Sequence, residues 1–474
     1  KEHKSSSKSN GNVLKKLFHS EEEFQSWKTE RQKFSLKSIV PTEGTEIRCH
    51  LGIDSGSTTT KVVLIDDNLN IIYKDYRRNN GNSFRTFVES MEALQQFEKE
   101  KNIKISIVSS TATGYGENLL KKAFNLNNGI VETMAHYIAA REVCPEVSFV
   151  LDIGGQDMKA IFIDNGSIKR IEINEACSSG CGSFIETYAN MLNYPVAEFA
   201  RMACTADQPY DLGTRCTVFM NSKVKQSLRE GTSIENIAAG FSYSVIKNCL
   251  FKVLKLKNLN ELGDNIVVQG GTMKNLSIVK ALEVLTGKNV FFSDIPELMG
   301  AFGAAIYGKS TDCHNETSIS ELIKFNEYKS SIVNCKGCEN QCTVNIFKFE
   351  NGNSFYAGNN CEKVFSNRSE STAKGINLHA EKDDMLFEKH EYSTVKNGKK
   401  VGLPRALGMY ENFQFWQAMF STLGYEVVLS GDSTNKLYEP GVKSIMSDNI
   451  CFPAKLMNGH ILDLVNKKVD FIFY

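Results

Sequence analysis

The 474-residue chain has no long hydrophobic run. Segments such as Ile105 to Val108 and Ile266 to Val268 are short and flanked by polar residues, far below the roughly 20 apolar residues of a membrane-spanning helix, so the sequence predicts a soluble protein with no membrane partner. Nor is there a charge bias. Lys+Arg and Asp+Glu stand at 55 each, which leaves no pull toward nucleic acid or an anionic membrane surface. Residues 1–47 lack the apolar core of a secretory signal and the chain begins at Lys1, so they read as a polar leader or linker of a piece cut from a longer protein. Without a secretory signal, an odd count of 13 cysteines points to a reducing, cytoplasmic compartment. The thiols then serve as metal ligands or small buried apolar groups, not as a disulfide framework. The length suits two or three domains.

What the sequence does have is an internal repeat. Asp54-Ser-Gly56-Ser57-Thr58-Thr59-Thr-Lys61-Val-Val-Leu-Ile-Asp66 lies over Asp152-Ile-Gly154-Gly155-Gln156-Asp157-Met-Lys159-Ala-Ile-Phe-Ile-Asp164 at an offset of 98 residues. Each copy reads as a strand, a turn of small residues and a second strand. Glycines let backbone N–H groups close on an anion, and the hydroxyls of Ser57, Thr58 and Thr59 add donors. Two such hairpins facing one another would clamp a polyphosphate, with Asp54 and Asp152 holding Mg²⁺ through water. A third segment, Val267 to Asn275, is a strand ending in Gly270-Gly271 that opens a helix, and Ala301 to Ala305 begins another helix of small residues.

Residues 48 to 310 thereby resemble the superfamily of acetate and sugar kinases, heat-shock chaperone ATPases and actin. The resemblance implies an α/β fold of two ribonuclease-H-like subdomains, 48–147 and 148–310, with ATP or ADP in a cleft between them. It assigns Asp54, Gly56, Ser57, Thr58, Thr59 and Lys61 to the first phosphate element. Asp152, Gly154, Gly155, Gln156 and Asp157 form the second, and Gly270, Gly271, Thr272 and Asn275 the adenosine element.

Two cysteines follow the second hairpin. Cys177 lies in Asn174-Glu-Ala-Cys-Ser-Ser-Gly-Cys181-Gly182, before a helix with an apolar face of Phe184, Tyr188 and Met191, and Cys216 precedes a helix carrying Val218 and Phe219. A thiol at a helix N-terminus is favoured as thiolate and suits iron ligation, so one chain supplies half of a [4Fe–4S] site and two copies would complete it. Cys49, Cys144, Cys204, Cys249 and Cys313 read as buried structural thiols.

With Thr113-Gly-Tyr-Gly116 and Val131-Glu-Thr-Met-Ala-His136 added, the motifs resemble in order the activators of 2-hydroxyacyl-CoA dehydratases and the ATPase subunits of benzoyl-CoA reductases. That resemblance implies a dimer-bridging [4Fe–4S] cluster on Cys177 and Cys216, and ATP-driven, low-potential one-electron transfer in an anaerobic setting. The partner is a dehydratase or reductase, separate or on a further part of the same chain, and the donor is a reduced ferredoxin or flavodoxin. The second half-site comes from a homodimer partner or from a second activator domain. By position in the motif, Asp152 serves Mg²⁺ and Gln156 the attacking water. Cys181 departs from the family pattern, where Thr is usual, and its role stays open. A small-molecule kinase of the same fold would have no use for thiols at helix starts, and a chaperone-like ATP-binding protein would carry a β-rich peptide domain instead of cysteine modules.

Beyond the ATPase region, 331–370 carries Cys335-x2-Cys338-x3-Cys342-x18-Cys361 between β-like pieces, a closed site for Zn²⁺ or a second iron–sulfur cluster. Residues 399–474 read as the start of an α/β domain resembling dehydratase subunits, with Cys451 as a possible ligand of another cluster and a final strand cut short at Tyr474.

Overall fold

The computed structural model describes residues 14–175, 178–312, 316–367, 376–390, 392 and 396–474. They form two compact units, one running to residue 330 with 347–355, the other holding 331–346 and the chain from 356 onward.

The first unit rests on two sheets of one topology. Strands Glu46–Ser55, Thr59–Ile65 and Ile71–Arg78 make an antiparallel meander, and Lys104–Thr113 adds parallel to Glu46–Ser55. Phe149–Ile153, Met158–Asp164 and Ser167–Asn174 repeat the meander, and Asn265–Gln269 adds parallel to Phe149–Ile153. The repeat extends to single residues. Asp54 pairs with Lys61 across the first hairpin and Asp152 with Lys159 across the second. The ladder slips between Leu64 and Ile65, and again between Phe162 and Ile163. Central strands such as Phe149–Ile153 are buried along their whole length and apolar but for Asp152, because both faces are covered, as parallel pairings require. This is the doubled ribonuclease-H-like α/β architecture.

Two segments lie where the linear reading did not put them. Helix Met299–Ser310, late in the chain, packs on the first sheet: a Cβ on Gly52 would meet the Ala301 carbonyl oxygen at 1.9 Å, and one on Gly303 would meet that of Ala135 at 1.8 Å. The small residues of Ala301 to Ala305 are there so that strand, helix and helix can touch. The described part of the leader is docked rather than free. Helix Glu21–Arg31, capped by Ser20, buries Trp27, and Leu17 and Phe18 join the core of the second half. Trp27 Nε1 donates to Glu283 Oε2 at 2.9 Å and Arg31 Nη2 reaches the same oxygen at 3.0 Å. A handful of apolar side chains on one side of a polar segment is enough to anchor it.

Phe184 and Tyr188 pack with Phe241 in the core, with ring centroids 4.5 to 5.5 Å apart. Met191, expected on the same face, is instead 41% exposed at the helix end.

In the second unit, strands Lys400–Leu403, Glu426–Leu429 and Phe471–Ile472 form a parallel sheet with Lys400–Leu403 central, joined by helices Phe413–Thr422 and Phe452–Asn466. Strands Tyr328–Asn334, Thr343–Phe349 and Ser354–Ala357 make a separate three-stranded sheet whose residues are divided between the two units. Among the described residues no helix is long and apolar enough to cross a membrane.

Candidate functional site

The two hairpin turns open onto one cleft of about 570 Å³. Gly56, Ser57, Thr58, Thr59 and Lys61 line it from the first hairpin. Asp152, Gly154, Gly155, Gln156, Asp157 and Lys159 line it from the second, and Gly270 and Gly271 from the third element. Asp54 lies beneath the surface, fully buried, with Oδ2 2.7 Å from Lys61 Nζ. Thr272 and Asn275 do not line the cleft. Thr272 Oγ1 donates to the Gly154 carbonyl at 2.9 Å, and Asn275 caps helix Leu276–Thr286 by accepting from Ser277 N. Gly270 sits at φ 90°, and a Cβ there would meet Asp152 Oδ1 at 2.5 Å, so this turn needs glycine.

Helix Glu132–Val143 adds side chains that the repeat did not announce. Glu132 and His136, four apart on one helical face, both line the cleft. His136 Nδ1 lies 2.5 Å from Gln269 Oε1, and Nε2 is 3.6 Å from Asp152 Oδ2. Lys159 Nζ contacts Asp157, with Glu132 Oε1 at 3.0 Å and Asp152 Oδ2 at 3.8 Å. Glu132-x3-His136 carried the helical spacing in the sequence, and the Lys61/Lys159 match carried the second lysine.

Burial opposes ionisation of Asp54, but Lys61, His136 and Lys159 together outweigh it and hold the carboxyl below its usual range. Burial pushes the Glu132 carboxyl up, with Asp54 adding repulsion. For Lys159, burial is overcome by Asp152, Glu132 and Asp157, which keep the ammonium protonated above its ordinary range. The hydrogen bond to Glu175 pushes Tyr115 up to about 12.

Asp54 Oδ1 is buried without a hydrogen-bond partner, and ligand atoms of Asp54, Glu132 and His136 lie within 4.8 Å of one another. An oxygen-rich pocket with an orphaned carboxylate oxygen fits a hydrated divalent cation. Six carboxyl side chains (Glu132, Asp152, Asp157, Glu175, Glu186, Glu297) face three cations (Lys61, Arg78, Lys159) along the lining.

The cleft is joined directly to the cysteine-bearing segment. Gly182 N donates to Gly154 O at 3.0 Å and Ser183 N to Gly155 O at 2.8 Å, so the first turn of helix Gly182–Met191 grips the second hairpin. A Cβ on Gly182 would meet Thr272 Oγ1 at 2.3 Å. Cys177 lies outside the described residues, as does Cys313. Cys216 is exposed and caps helix Thr217–Arg229, beside Phe219, which is 66% exposed. A π-helical turn, Asn248–Val253, bonds both neighbourhoods: Asn248 Nδ2 donates to Arg215 O at 3.3 Å and Cys249 Sγ to Gly180 O at 3.2 Å. Cys181, at the cap of Gly182–Met191, has its side chain in the apolar core. Cys49, Cys144, Cys204 and Cys249 are buried, and burial pushes Cys49 and Cys204 up to about 12. Cys451 is exposed at the start of helix Phe452–Asn466.

Known proteins resemble about half of this chain. The (R)-2-hydroxyglutaryl-CoA dehydratase activating ATPase of Acidaminococcus fermentans is 31% identical over 257 residues, covering 54% of this chain and 95% of that protein. The activator of lactoyl-CoA dehydratase of Anaerotignum propionicum is 32% identical, covering 54% and 96%. Among solved structures, the activator of the 2-hydroxyisocaproyl-CoA dehydratase from Clostridium difficile with bound ADPNP matches with a TM-score of 0.47 and 28% identity, over 55% of this chain and 94% of that one. Residues 400–474 match the CoA enzyme activase uncharacterised domain. Residues 51–308, more than half of the chain, match the BadF/BadG/BcrA/BcrD ATPase family, and the chain belongs to that family of ATPases.

Proposed function

We propose that this ATPase uses nucleotide binding and hydrolysis to drive low-potential, single-electron transfer from a [4Fe–4S] cluster on Cys177 and Cys216 to a partner iron–sulfur enzyme of the 2-hydroxyacyl-CoA dehydratase or benzoyl-CoA reductase type. The observation that carries the reading is the pair of bonds from Gly182 and Ser183 to the carbonyls of Gly154 and Gly155. The turn assigned to phosphate is the turn on which the helix after Cys177 begins. The relatives' activities, an activating ATPase of (R)-2-hydroxyglutaryl-CoA dehydratase and an activator of lactoyl-CoA dehydratase, agree with it.

In this reading the N–H groups and hydroxyls of the two turns bind the β- and γ-phosphates, and Lys61 and Lys159 neutralise them. Asp54 and Asp152 orient Mg²⁺ through water, and Gln156 positions the attacking water. Gly270 and Gly271 pack against the adenosine, with Thr272 and Asn275 fixing that turn. Because acids outnumber cations in the cleft, the polyphosphate enters as its Mg²⁺ complex. When bound, the cluster supplies a one-electron centre of low potential. The chain's own contribution is to present Cys216 on a helix N-terminus next to an exposed Phe219, which suits a symmetric mate bringing two more thiols, either a second copy or a second activator domain. Movement of the second hairpin on nucleotide binding is then passed to the Cys177 segment through the Gly182 helix. Reduced ferredoxin or flavodoxin serves as donor.

The test is anaerobic iron and sulfide analysis of the wild type, Cys177→Ala and Cys216→Ala. A loss of about four irons per pair of domains in either variant, relative to wild type, is expected. A colourless protein whose ATP consumption depends on an added sugar or acid would instead make it a kinase.

A further inference from the structure

We propose that Cys335, Cys338, Cys342 and Cys361 form a tetrathiolate metal centre in the second unit, independent of the ATPase cleft. The sequence spacing alone left unliganded thiols open; the structure supplies four observations that bear on the choice.

All four cysteines line a single small cavity of about 40 Å³. They arrive on separate loops. Cys335, Cys338 and Cys342 lie on the connection between strands Tyr328–Asn334 and Thr343–Phe349, which is closed by Cys335 N donating to Cys342 O at 2.8 Å. Cys361 comes from the segment after strand Ser354–Ala357. A Cβ on Gly337 would fall 2.4 Å from Val364 Cγ2, so the two loops meet where glycine leaves room.

Two N–H donors aim at sulfur: Gly337 N reaches Cys335 Sγ at 3.4 Å and Asn360 Nδ2 reaches Cys342 Sγ at 3.3 Å. A thiol is a poor acceptor, whereas such donors are the usual outer partners of metal-bound thiolates.

The module also has almost no core. Across 331–346 and 356–367 the buried side chains are Cys335 and Val344, and strand Tyr328–Asn334 is exposed over most of its length. A piece this small and this open needs a cross-link to hold one conformation, and metal ligation supplies it.

The shared chemistry is thiolate ligation of a soft centre, either one Zn²⁺ or an iron–sulfur cluster.

The experiment measures iron, zinc and acid-labile sulfide per chain in the anaerobic full chain, the Cys335→Ser/Cys361→Ser variant and Cys216→Ser. The expected result is a loss, in the first variant alone, of about four irons and four sulfides, or of one zinc; either supports the centre and identifies it. Cys216→Ser keeps this portion, so failure here and failure of the proposed function are distinguishable. Should the double variant misfold, alkylation of the native wild type decides, with Cys451, exposed in the same unit, as the free-thiol reference. Cys338 and Cys361, exposed like Cys451, are expected to react at least about tenfold more slowly than it until a chelator or oxidant is added. Unchanged metal content in the variant, or alkylation of Cys338 and Cys361 as fast as Cys451, overturns the proposal.

Discussion

Replacing Lys159 with Met tests the electrostatic account of the cleft most severely. The ammonium is 5% exposed and contacts Asp157, Glu132 and Asp152. Methionine keeps most of the length of the side chain and removes its charge and its N–H donors, leaving carboxylates of low exposure without their common counter-ion. Removing one partner of a buried ion pair costs about 3–5 kcal/mol, because the remaining charge stays buried and uncompensated. At about 2 °C per kcal/mol, the low end of the scale because the unit is large, the lower figure alone lowers the melting temperature of the ATPase unit by about 6 °C. The same excess of carboxylate makes the variant a better site for a bare divalent cation, so millimolar Mg²⁺ without nucleotide should recover more of the melting temperature in the variant than in the wild type. Differential scanning calorimetry with and without Mg²⁺ reads both effects. A fall under about 2 °C, or a Mg²⁺ response equal to that of the wild type, would refute the assignment of Lys159 as the counter-ion of this carboxylate cluster.

Three further outcomes are expected. Asp54 has its carboxyl held below the ordinary value of 3.8, so its contribution to stability is present above that value and lost as pH falls through the folded one; the stability gap between wild type and Asp54→Asn should close in acid unfolding below about pH 4. In Gly182→Ala the new Cβ conflicts with Thr272 Oγ1, and with Gly154 O at 3.2 Å, which disturbs hydrogen bonds worth about 1 kcal/mol each; partner activation per ATP hydrolysed should drop by about tenfold or more, and unchanged stoichiometry would remove this helix from the coupling route. Trp27→Ala should cost about 3–5 kcal/mol and expose the 14–45 segment to limited proteolysis.

The cleft was legible in the sequence because hairpin geometry writes itself into spacing. Asp54 and Lys61 are cross-strand partners, so the distance between them is fixed by the turn, and the same turn built twice gives the same spacing twice. Cys216 could be placed because small and polar residues precede an apolar helix, and the cap is there. Glu132 and His136 belong to a helix outside the repeat; their segment enters as a motif of the resemblance, but nothing local says that the helix faces the cleft. The docking of Trp27 pairs it with Glu283, more than 250 residues away, and Leu17 and Phe18 join the core of the second half, long-range contacts that composition cannot report. Met191 follows the helical period but falls in the last turn, where the covering core has ended.

The central claim is that the nucleotide cleft acts on a cluster at Cys177 and Cys216. The direct measurement is the EPR spectrum and midpoint potential of the anaerobically reduced protein with no nucleotide, with Mg-ADP and with Mg-ATP. The account predicts one cluster signal whose shape and potential change with the nucleotide and which Cys216→Ala abolishes, leaving only whatever nucleotide-indifferent signal the Cys335/Cys338/Cys342/Cys361 centre gives. Absence of any nucleotide-responsive signal, or its persistence in Cys216→Ala, would contradict it.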